Sequence, residues 1–333
     1  MGKHRSRREF LGVMGAGVLS AAGLAATAAC GRTGAGGQTD GAGVTVKHVF
    51  GETRIPAPPT RVVSAGLTEQ DDLLALGVLP IAVTNWFGDQ PFGVWPWAQP
   101  QLGSAHPVVL NLDNGIQVDR IAQLKPDLIV AINAGLDSAI YEKLTAIAPT
   151  IAQADGDAFF EPWKEQAAAV GAATFHSDQM ARSIRDVDEK FSAAAQANPQ
   201  FKNRTAVLLA GRFAGDTIAA TAGGWRTDFL TAMGFQIPDS VKAIADRDGR
   251  AEIPRADLAA TLRGADVLIW TTENEAEQAA LQADPAVVEL PGTPAKRDVF
   301  TTPDLAGAIA FASPLSYPVV ADQLPPLLAR ALV

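Results

Sequence analysis

From residue 44 onward, short apolar runs alternate with helix-length amphipathic segments, and this alternation constrains the fold more than any other feature. The runs RVVSAG at 61–66 and PIAVT at 80–84 have the composition of buried strands. Between them, Thr68 is a good N-cap, Asp71 completes a capping-box-like pair, and Gly77 ends the helix. Two strands joined by a helix form a β-α-β unit, so we expect a parallel sheet.

The alternation continues and is interrupted once by a long helix. Residues 118–132 and 141–152 each have the pattern of a helix followed by a short apolar strand. Residues 178–197 then carry apolar residues at helical intervals, with no Gly or Pro between them: Met180, Ile184, Val187 and Phe191. After this helix the alternation restarts, with strands predicted at 204–210, 217–221 and 267–271 and helices near 225–233 and 256–263.

The two halves of the chain also echo each other. VDRIAQLKPDLIVAI at 118–132 is similar to RADLAATLRGADVLIWT at 255–271, with an acid in the first helical turn, a break, an Asp and an apolar strand. A length of 333 residues suggests about two domains. The sequence therefore predicts an α/β protein of two Rossmann-like lobes with central, mainly parallel sheets, joined by one long helix. We place the N-terminal lobe at 59–173, the connecting helix at 174–201 and the C-terminal lobe at 202–333.

The N-terminus has the pattern of an export signal. SRREFL at 6–11 matches the core of a twin-arginine signal, and the run 11–29 is uncharged and ends in small residues. Cys30, the one cysteine, stands where bacterial lipoproteins are cleaved and lipidated, although Thr27 replaces the usual Leu. We expect removal of 1–29 and lipid anchoring of Cys30 to the outer face of the cytoplasmic membrane; simple cleavage and a retained anchor are the alternatives. Residues 30–58 then form a Gly-rich tether and an N-terminal hairpin.

Composition argues against several classes of protein. The whole chain has 27 basic and 36 acidic side chains, and loss of 1–29 leaves 23 and 35, a net charge of −12. An acidic body argues against nucleic acid as a partner, because phosphate binding needs clustered Lys and Arg. One Cys excludes a disulfide framework, and the scattered His48, His106 and His176 do not form the pattern of a metal site. The chain lacks G-x-S-x-G, H-E-x-x-H and P-loop motifs, so we expect no enzymatic activity; a secreted enzyme and a receptor for free Zn²⁺ or Mn²⁺ are the alternatives.

Several segments resemble the iron-siderophore substrate-binding proteins of ABC importers. They are HVFGETRIP at 48–56, PTRVV at 59–63, DRI leading to LKPDLI within 119–129, and IAPT at 147–150. Their order and spacing are similar to the ferric-citrate type, which implies the class III periplasmic binding protein fold. The resemblance also implies a monomeric protein with a shallow cleft between its lobes, which delivers a ferric siderophore to a membrane permease and its ATPase. It implies one surface acid on each lobe that pairs with a permease arginine, and the matching positions are Asp119 and Asp257.

An aromatic loop supplies the first candidate ligand-binding residues. Ligands of open α/β sheets bind beyond the carboxyl ends of the strands, where the residues after 84 are expected to lie. Trp86, Trp95 and Trp97 fall close together with two Phe and three Pro, which predicts a rigid loop rather than a helix or strand, with a surface for stacking. The alternative is that these rings pack the loop onto its own lobe. Trp270, in a buried-type strand, is expected in the core instead.

Charged and polar candidates follow from the same argument. Arg212 ends an apolar strand and could pair with a negatively charged ferric chelate. The backbone N–H groups of the helix that starts near Thr68 would suit the same charge. Trp225, Arg226 and Tyr317 complete the candidate set. The alternatives are an ordinary surface ion pair for Arg212 and packing of its own helix by Trp225.

The ligand is expected to be a ferric siderophore, with no separate cofactor and no metal bound by the protein itself. Haem is an alternative, because the same fold type can hold it and Tyr141 or Tyr317 could supply an axial oxygen. Cobalamin also fits a cleft lined by Trp. The sequence does not separate these ligands.

Overall fold

The computed structural model describes residues 43–155, 159–290 and 297–333, together with the backbone of 38–40. The predicted signal, Cys30 and most of the Gly-rich tether lie outside these described residues. The chain forms two compact units. Unit 1 comprises the described residues up to Val94, with Gln101–Glu161 and Glu165–Met180, whereas unit 2 comprises Trp95–Pro100, Pro162–Lys164 and Ala181–Val333. No helix within the described ranges is long and apolar enough to cross a membrane.

Unit 1 is built on a five-stranded parallel sheet, preceded by a small antiparallel one. The antiparallel strands are β1 (Gln38–Asp40), β2 (Gly43–His48) and β3 (Gly51–Ile55). The parallel strands, in spatial order β6-β5-β4-β7-β8, are β4 (Val62–Ser64), β5 (Ala82–Thr84), β6 (Val108–Leu110), β7 (Leu128–Ala131) and β8 (Thr150–Ala152). The first six helices are α1 (Glu69–Ala75), α2 (Gln99–Leu102), α3 (Val118–Leu124), α4 (Ser138–Thr145), α5 (Trp163–Ala173) and α6 (Ser177–Ala197). Of these, α2, α5 and α6 each include residues of both units.

Unit 2 contains a mixed five-stranded sheet of order β11-β10-β9-β12-β13. Its strands are β9 (Ala206–Ala210), β10 (Thr217–Thr221), β11 (Arg250–Pro254), β12 (Val267–Thr271) and β13 (Asp298–Phe300). β12 pairs in parallel with β9 and β13, whereas β10 is antiparallel to both of its neighbours. Its helices are α7 (Asp228–Ala232), α8 (Asp239–Lys242), α9 (Leu258–Leu262), α10 (Glu275–Ala283), α11 (Pro285–Val288), α12 (Pro303–Phe311) and α13 (Ser316–Ala331). The predicted fold class, two α/β lobes with mainly parallel sheets, is confirmed.

The sequence echo between the halves corresponds to the same hydrogen-bonded clamp in both units. In unit 1, Asp127 just before β7 accepts the Thr60 N–H and hydroxyl, both at 2.8 Å, and the Arg61 N–H at 2.7 Å. In unit 2, Asp266 just before β12 accepts the Thr205 N–H at 2.7 Å and its hydroxyl at 2.8 Å. Each clamp fixes the segment that leads into the neighbouring parallel strand, β4 or β9. The repeated Asp therefore sets the pairing of two central strands.

A buried polar cluster fixes the N-terminal hairpin to the rest of unit 1. The Phe50 N–H donates to Nδ1 of His48 at 3.3 Å, so the proton of the neutral ring lies on Nε2, 2.9 Å from Thr53 Oγ1. The Thr53 hydroxyl donates to the Thr150 carbonyl at 2.7 Å, and the Tyr141 hydroxyl lies 3.2 Å from Thr53 Oγ1. Burial lowers the pKa of His48, which favours the neutral ring that this pattern requires.

One local prediction is wrong, one is right only in part, and two are confirmed. The Thr68 side chain does not cap α1, because its hydroxyl donates to Gln166 Oε1 at 3.1 Å instead, so the capping box with Asp71 does not form. The aromatic loop is not wholly irregular, because Pro91–Gly93 form a 3₁₀ turn and α2 begins at Gln99. Trp270 lies fully buried in β12, as expected, with Nε1 donating to Asp298 at 2.7 Å. The predicted long helix is α6.

Candidate ligand-binding residues

Trp86 lies directly beyond the carboxyl end of β5, at the edge of the unit 1 sheet where ligands bind in such folds. Phe87 packs edge-on against it with ring centroids 4.8 Å apart, and Phe160 packs at 5.0 Å. Phe160 is 4% exposed and has a φ of 62°, in the left-handed region that bulky residues rarely adopt. Strain of this kind is concentrated at functional sites. Phe160 was not a sequence candidate, because no pattern in the sequence connects it with Trp86.

A buried asparagine holds Phe160 in this conformation. Asn133, 3% exposed and just beyond β7, accepts the Phe160 N–H through Oδ1 at 2.8 Å. Its Nδ2 donates to Thr68 Oγ1 at 2.8 Å and to Gln166 Oε1, while its backbone N–H donates to Glu69 Oε1 at 2.7 Å. One side chain thus connects the end of β7, the start of α1, helix α5 and the segment that carries Phe160.

The same region buries several carboxyl groups. Glu69, Asp72 and Glu161 are each no more than 5% exposed. Burial raises the pKa of Glu69, raises that of Asp72 well above its ordinary value, and raises that of Glu161 from 4.5 to about 7. Asp72 Oδ2 accepts a hydrogen bond from Gln166 Nε2 at 2.5 Å, and Glu161 Oε2 accepts the Ala154 N–H at 2.7 Å. Repulsion among these carboxylates adds to the effect of burial, so the cluster favours protonation.

This cluster does not support the predicted anion site at the start of α1. Glu69 Oε2 accepts the Thr68 N–H at 3.1 Å, so a carboxylate of the chain itself occupies that position. The first turn also contains Asp71 and Asp72, both buried, so acidic side chains of the chain itself fill the space at this helix start.

In unit 2, Trp95 and Trp97 stack on each other with ring centroids 5.0 Å apart. Both rings meet Phe311 edge-on, at 6.0 and 5.7 Å. Trp95 is 2% exposed and rests on Gly307 of α12, where an added Cβ would come within 2.6 Å of the ring. Trp97 is only partly buried. The geometry therefore favours packing for Trp95 and leaves Trp97 as the more accessible ring.

Arg212 lies beyond β9, at the carboxyl edge of the parallel strands of unit 2. At the preceding Gly211 an added Cβ would lie 2.4 Å from the Thr271 carbonyl oxygen, so only glycine allows the chain to pass the end of β12. Nε of Arg212 lies 3.7 Å from Glu277 Oε1 on α10, which is the ion pair that the sequence left open as an alternative. The Arg212 side chain is nevertheless 41% exposed to solvent.

The remaining candidates come together in another part of unit 2. Tyr317 is 1% exposed and packs against three rings, with centroids 5.3 to 5.9 Å away: Trp163, Phe191 and Phe229. Burial raises the pKa of its hydroxyl, which has no hydrogen-bond partner among the described residues. Arg226 is close enough to act electrostatically on Tyr317, and its guanidinium lies 4.3 Å from the Trp225 ring centroid. The structure thus brings Trp225, Arg226 and Tyr317 into one region.

The two predicted docking acids are exposed. Asp119 lies in the first turn of α3, and Asp257 immediately precedes α9. Their role in docking stays a prediction. Within 43–155, 159–290 and 297–333, no group of three or more His, Cys, Asp or Glu side chains is arranged to hold a metal ion.

Comparison with known proteins agrees with this architecture. A crystal structure of a periplasmic solute binding protein from Mycobacterium smegmatis is 58% identical, with a TM-score of 0.83 over 88% of this chain and all of that one. Streptococcus pneumoniae PiaA, solved in complex with ferrichrome, is 22% identical and shares the fold, with a TM-score of 0.71 over 86% of this chain and 98% of that one.

Sequence comparison then gives the family. The probable siderophore-binding lipoprotein YfiY of Bacillus subtilis is 29% identical over 241 residues, 68% of each chain. The profile of the family described as "Periplasmic binding protein" matches residues 62–305. The chain therefore belongs to the periplasmic binding protein family.

Proposed function

We propose that this protein is the substrate-binding lipoprotein of an ABC importer, and that it captures a ferric siderophore for delivery to a membrane permease and its ATPase. The observation that carries the proposal is the position of Trp86 beyond β5 and of Arg212 beyond β9. Each lies at the carboxyl edge of its own sheet, where ligands of this fold class bind. An aromatic face suits the apolar framework of a chelate, and a guanidinium suits its oxygen atoms.

The comparisons support the choice of ligand. YfiY is named a probable siderophore-binding lipoprotein, and PiaA was solved with ferrichrome, a ferric siderophore. Family membership favours a binding protein over an enzyme. We infer the same ligand class for this chain.

The haem alternative has weaker support. Tyr317 is 1% exposed, and burial raises the pKa of its hydroxyl, whereas an axial phenolate needs an accessible oxygen that ionises readily. The Tyr141 hydroxyl lies 3.2 Å from Thr53 Oγ1 and 3.3 Å from His48 Nε2, so it already has polar partners. No specific contact favours cobalamin.

Fluorescence titration of variants tests the proposed residues. Purified wild-type protein and the variants Trp86→Leu and Arg212→Gln are titrated with ferrichrome, ferrioxamine B, ferric citrate, haem and cyanocobalamin. We expect saturable micromolar binding of at least one ferric siderophore, weakened roughly five- to tenfold in each variant. Arg247→Gln, at a side chain that is 94% exposed, is the matched control and should bind like the wild type. Unchanged affinity in both test variants would remove them from the site.

Docking and anchoring are tested in cells. A variant with Asp119→Ala and Asp257→Ala should bind ligand normally but lose uptake, because these acids are proposed to pair with permease arginines. Unchanged uptake would contradict that role. Export by the twin-arginine route and lipidation predict that Cys30→Ala abolishes labelling by palmitate and releases the protein from the membrane fraction.

A further inference from the structure

Unit 1 carries an open groove of about 730 Å³ beside Asp119, between α3 and α4. Its apolar lining residues are Ile116, Val118 and Ile140, and its charged ones are Asp119, Arg120 and Lys143. The residues that line it come from α3, from α4 and from the segment that leads into α3, and none of them is a candidate ligand-binding residue.

The apolar part of the groove is a preformed floor. Ile116, Val118 and Ile140 are half-buried and pack against the core of unit 1, so one side of each residue is fixed while the other lines the groove. The Gln117 side chain accepts the Asn111 N–H at 3.1 Å, which holds the segment that enters α3. A partner would therefore meet a surface that needs little reorganisation before binding.

The charged part of the groove has both signs. Asp119, Arg120 and Lys143 are exposed, and none forms an ion pair with another residue in the part of the chain that the structure describes. These two cations and one acid can therefore form ion pairs with an external partner, and the two cations are exposed on a chain whose overall charge is −9.

The second predicted docking acid has a different neighbourhood. Near Asp257, the Arg255 guanidinium pairs with Asp284 and with Asp216, the latter at 3.3 Å, and stacks over the Phe213 ring with its central carbon 3.8 Å from the centroid. The cation two residues before Asp257 thus has internal partners, whereas Arg120 and Lys143 form no ion pair among the described residues. Asp119 and Asp257 therefore have different charged surroundings.

We propose that the permease docks in this groove with a segment that places one apolar side chain on the floor, an acidic residue against Arg120 and Lys143, and a basic residue against Asp119. An apolar centre with a charged rim is the anatomy of a protein interface. A small-molecule pocket is usually lined by aromatic residues and encloses most of its ligand, whereas no aromatic side chain lines this groove. The two-sign pattern also fixes the orientation of docking, because a reversed segment would bring like charges together. This inference rests on the proposed function.

Uptake measurements test the rim. A strain lacking the gene is complemented with wild type, with Arg120→Glu plus Lys143→Glu, or with the control Lys47→Glu plus Lys202→Glu, which makes the same charge change at exposed sites outside the groove. Uptake of ⁵⁵Fe bound to the siderophore that the wild type binds should fall about tenfold or more in the groove variant only, while its affinity in solution is unchanged. Wild-type uptake by the groove variant would overturn the proposal. Ile140→Ala should also lower uptake, because the floor loses its contact with the apolar side chain of the permease, and unchanged uptake with this variant would contradict a role for the floor.

Photo-crosslinking separates this inference from the proposed function. Benzoylphenylalanine replaces Gln123, an exposed residue of the groove lining, or Lys47 as the control, in the full chain in cells. The proposal predicts an adduct from position 123 only, with a multi-spanning membrane protein encoded beside an ABC ATPase. An adduct with a second copy of this chain, or none above the control, overturns it. If no ferric siderophore binds, the proposed function fails while the crosslink still decides the groove.

Discussion

Glu161→Gln offers a quantitative test of the buried carboxyl cluster in unit 1. Glu161 is 5% exposed, and its Oε2 accepts the Ala154 N–H at 2.7 Å. A glutamine has nearly the same shape and keeps an oxygen for that hydrogen bond. The substitution therefore removes the titrating group while it preserves the contact.

The magnitude follows from the pKa of Glu161, which burial raises from 4.5 to about 7. Between these two pH values the folded protein keeps a proton that the unfolded chain has lost, so the free energy of unfolding falls as the pH rises. The stabilisation is fully present below pH 4.5 and is lost by about pH 7. At about 1.4 kcal/mol per pH unit, the loss is roughly 3 kcal/mol.

The measurement is urea unfolding of wild type and Glu161→Gln at pH 4, 6 and 8, followed by tryptophan emission and circular dichroism. The stability of the variant relative to the wild type should increase by roughly 3 kcal/mol between pH 4 and pH 8. Glu142→Gln, at an exposed carboxyl of α4, is the matched control and should give a difference near zero at every pH. Parallel curves for wild type and Glu161→Gln would refute the account of this cluster.

Three further predictions follow from other contacts. Asn133→Ala removes the hydrogen bonds that the Asn133 side chain makes to the Phe160 N–H and to Thr68, so the free energy of unfolding should fall by about 2–4 kcal/mol. The fluorescence emission of Trp86 should also shift, and an unchanged spectrum would count against the link between Phe160 and Trp86. Burial lowers the pKa of His48, so the contribution of His48 to stability is present above pH 6.5 and is lost as the pH falls. The urea midpoints at pH 7.5 and pH 5.5 should therefore differ less in His48→Gln than in the wild type. Gly307→Ala should destabilise the protein by about 1–3 kcal/mol, because the new methyl group would clash with the Trp95 ring. Thermal unfolding measures this effect, and a melting temperature equal to that of the wild type would contradict the packing of Trp95 on Gly307.

The architecture could be predicted from sequence because it depends on local patterns. The apolar runs of β4, β7 and β12 are fully buried central strands, and the long helix matches its predicted interval closely. The echo between the halves also had a physical cause, because Asp127 and Asp266 form the same clamp. The strands and the long helix are each encoded in one short stretch of chain, whereas each clamp joins residues more than sixty positions apart.

Features that depend on distant residues were not predictable in the same way. Thr68 is a residue type that often caps helices, but its hydroxyl forms hydrogen bonds with Asn133 and Gln166 instead. Nothing near Thr68 in the sequence indicates these two partners. Phe160 shows its importance only through its backbone conformation and its contact with Trp86.

Isothermal titration calorimetry of the purified wild-type protein with a ferric siderophore and with its iron-free form tests the central claim most directly. We expect one saturable site for at least one ferric siderophore, with micromolar or tighter affinity, and much weaker binding of the iron-free form. Saturable binding of haem or cobalamin alone, or no binding of ferrichrome, ferrioxamine B or ferric citrate, would contradict it.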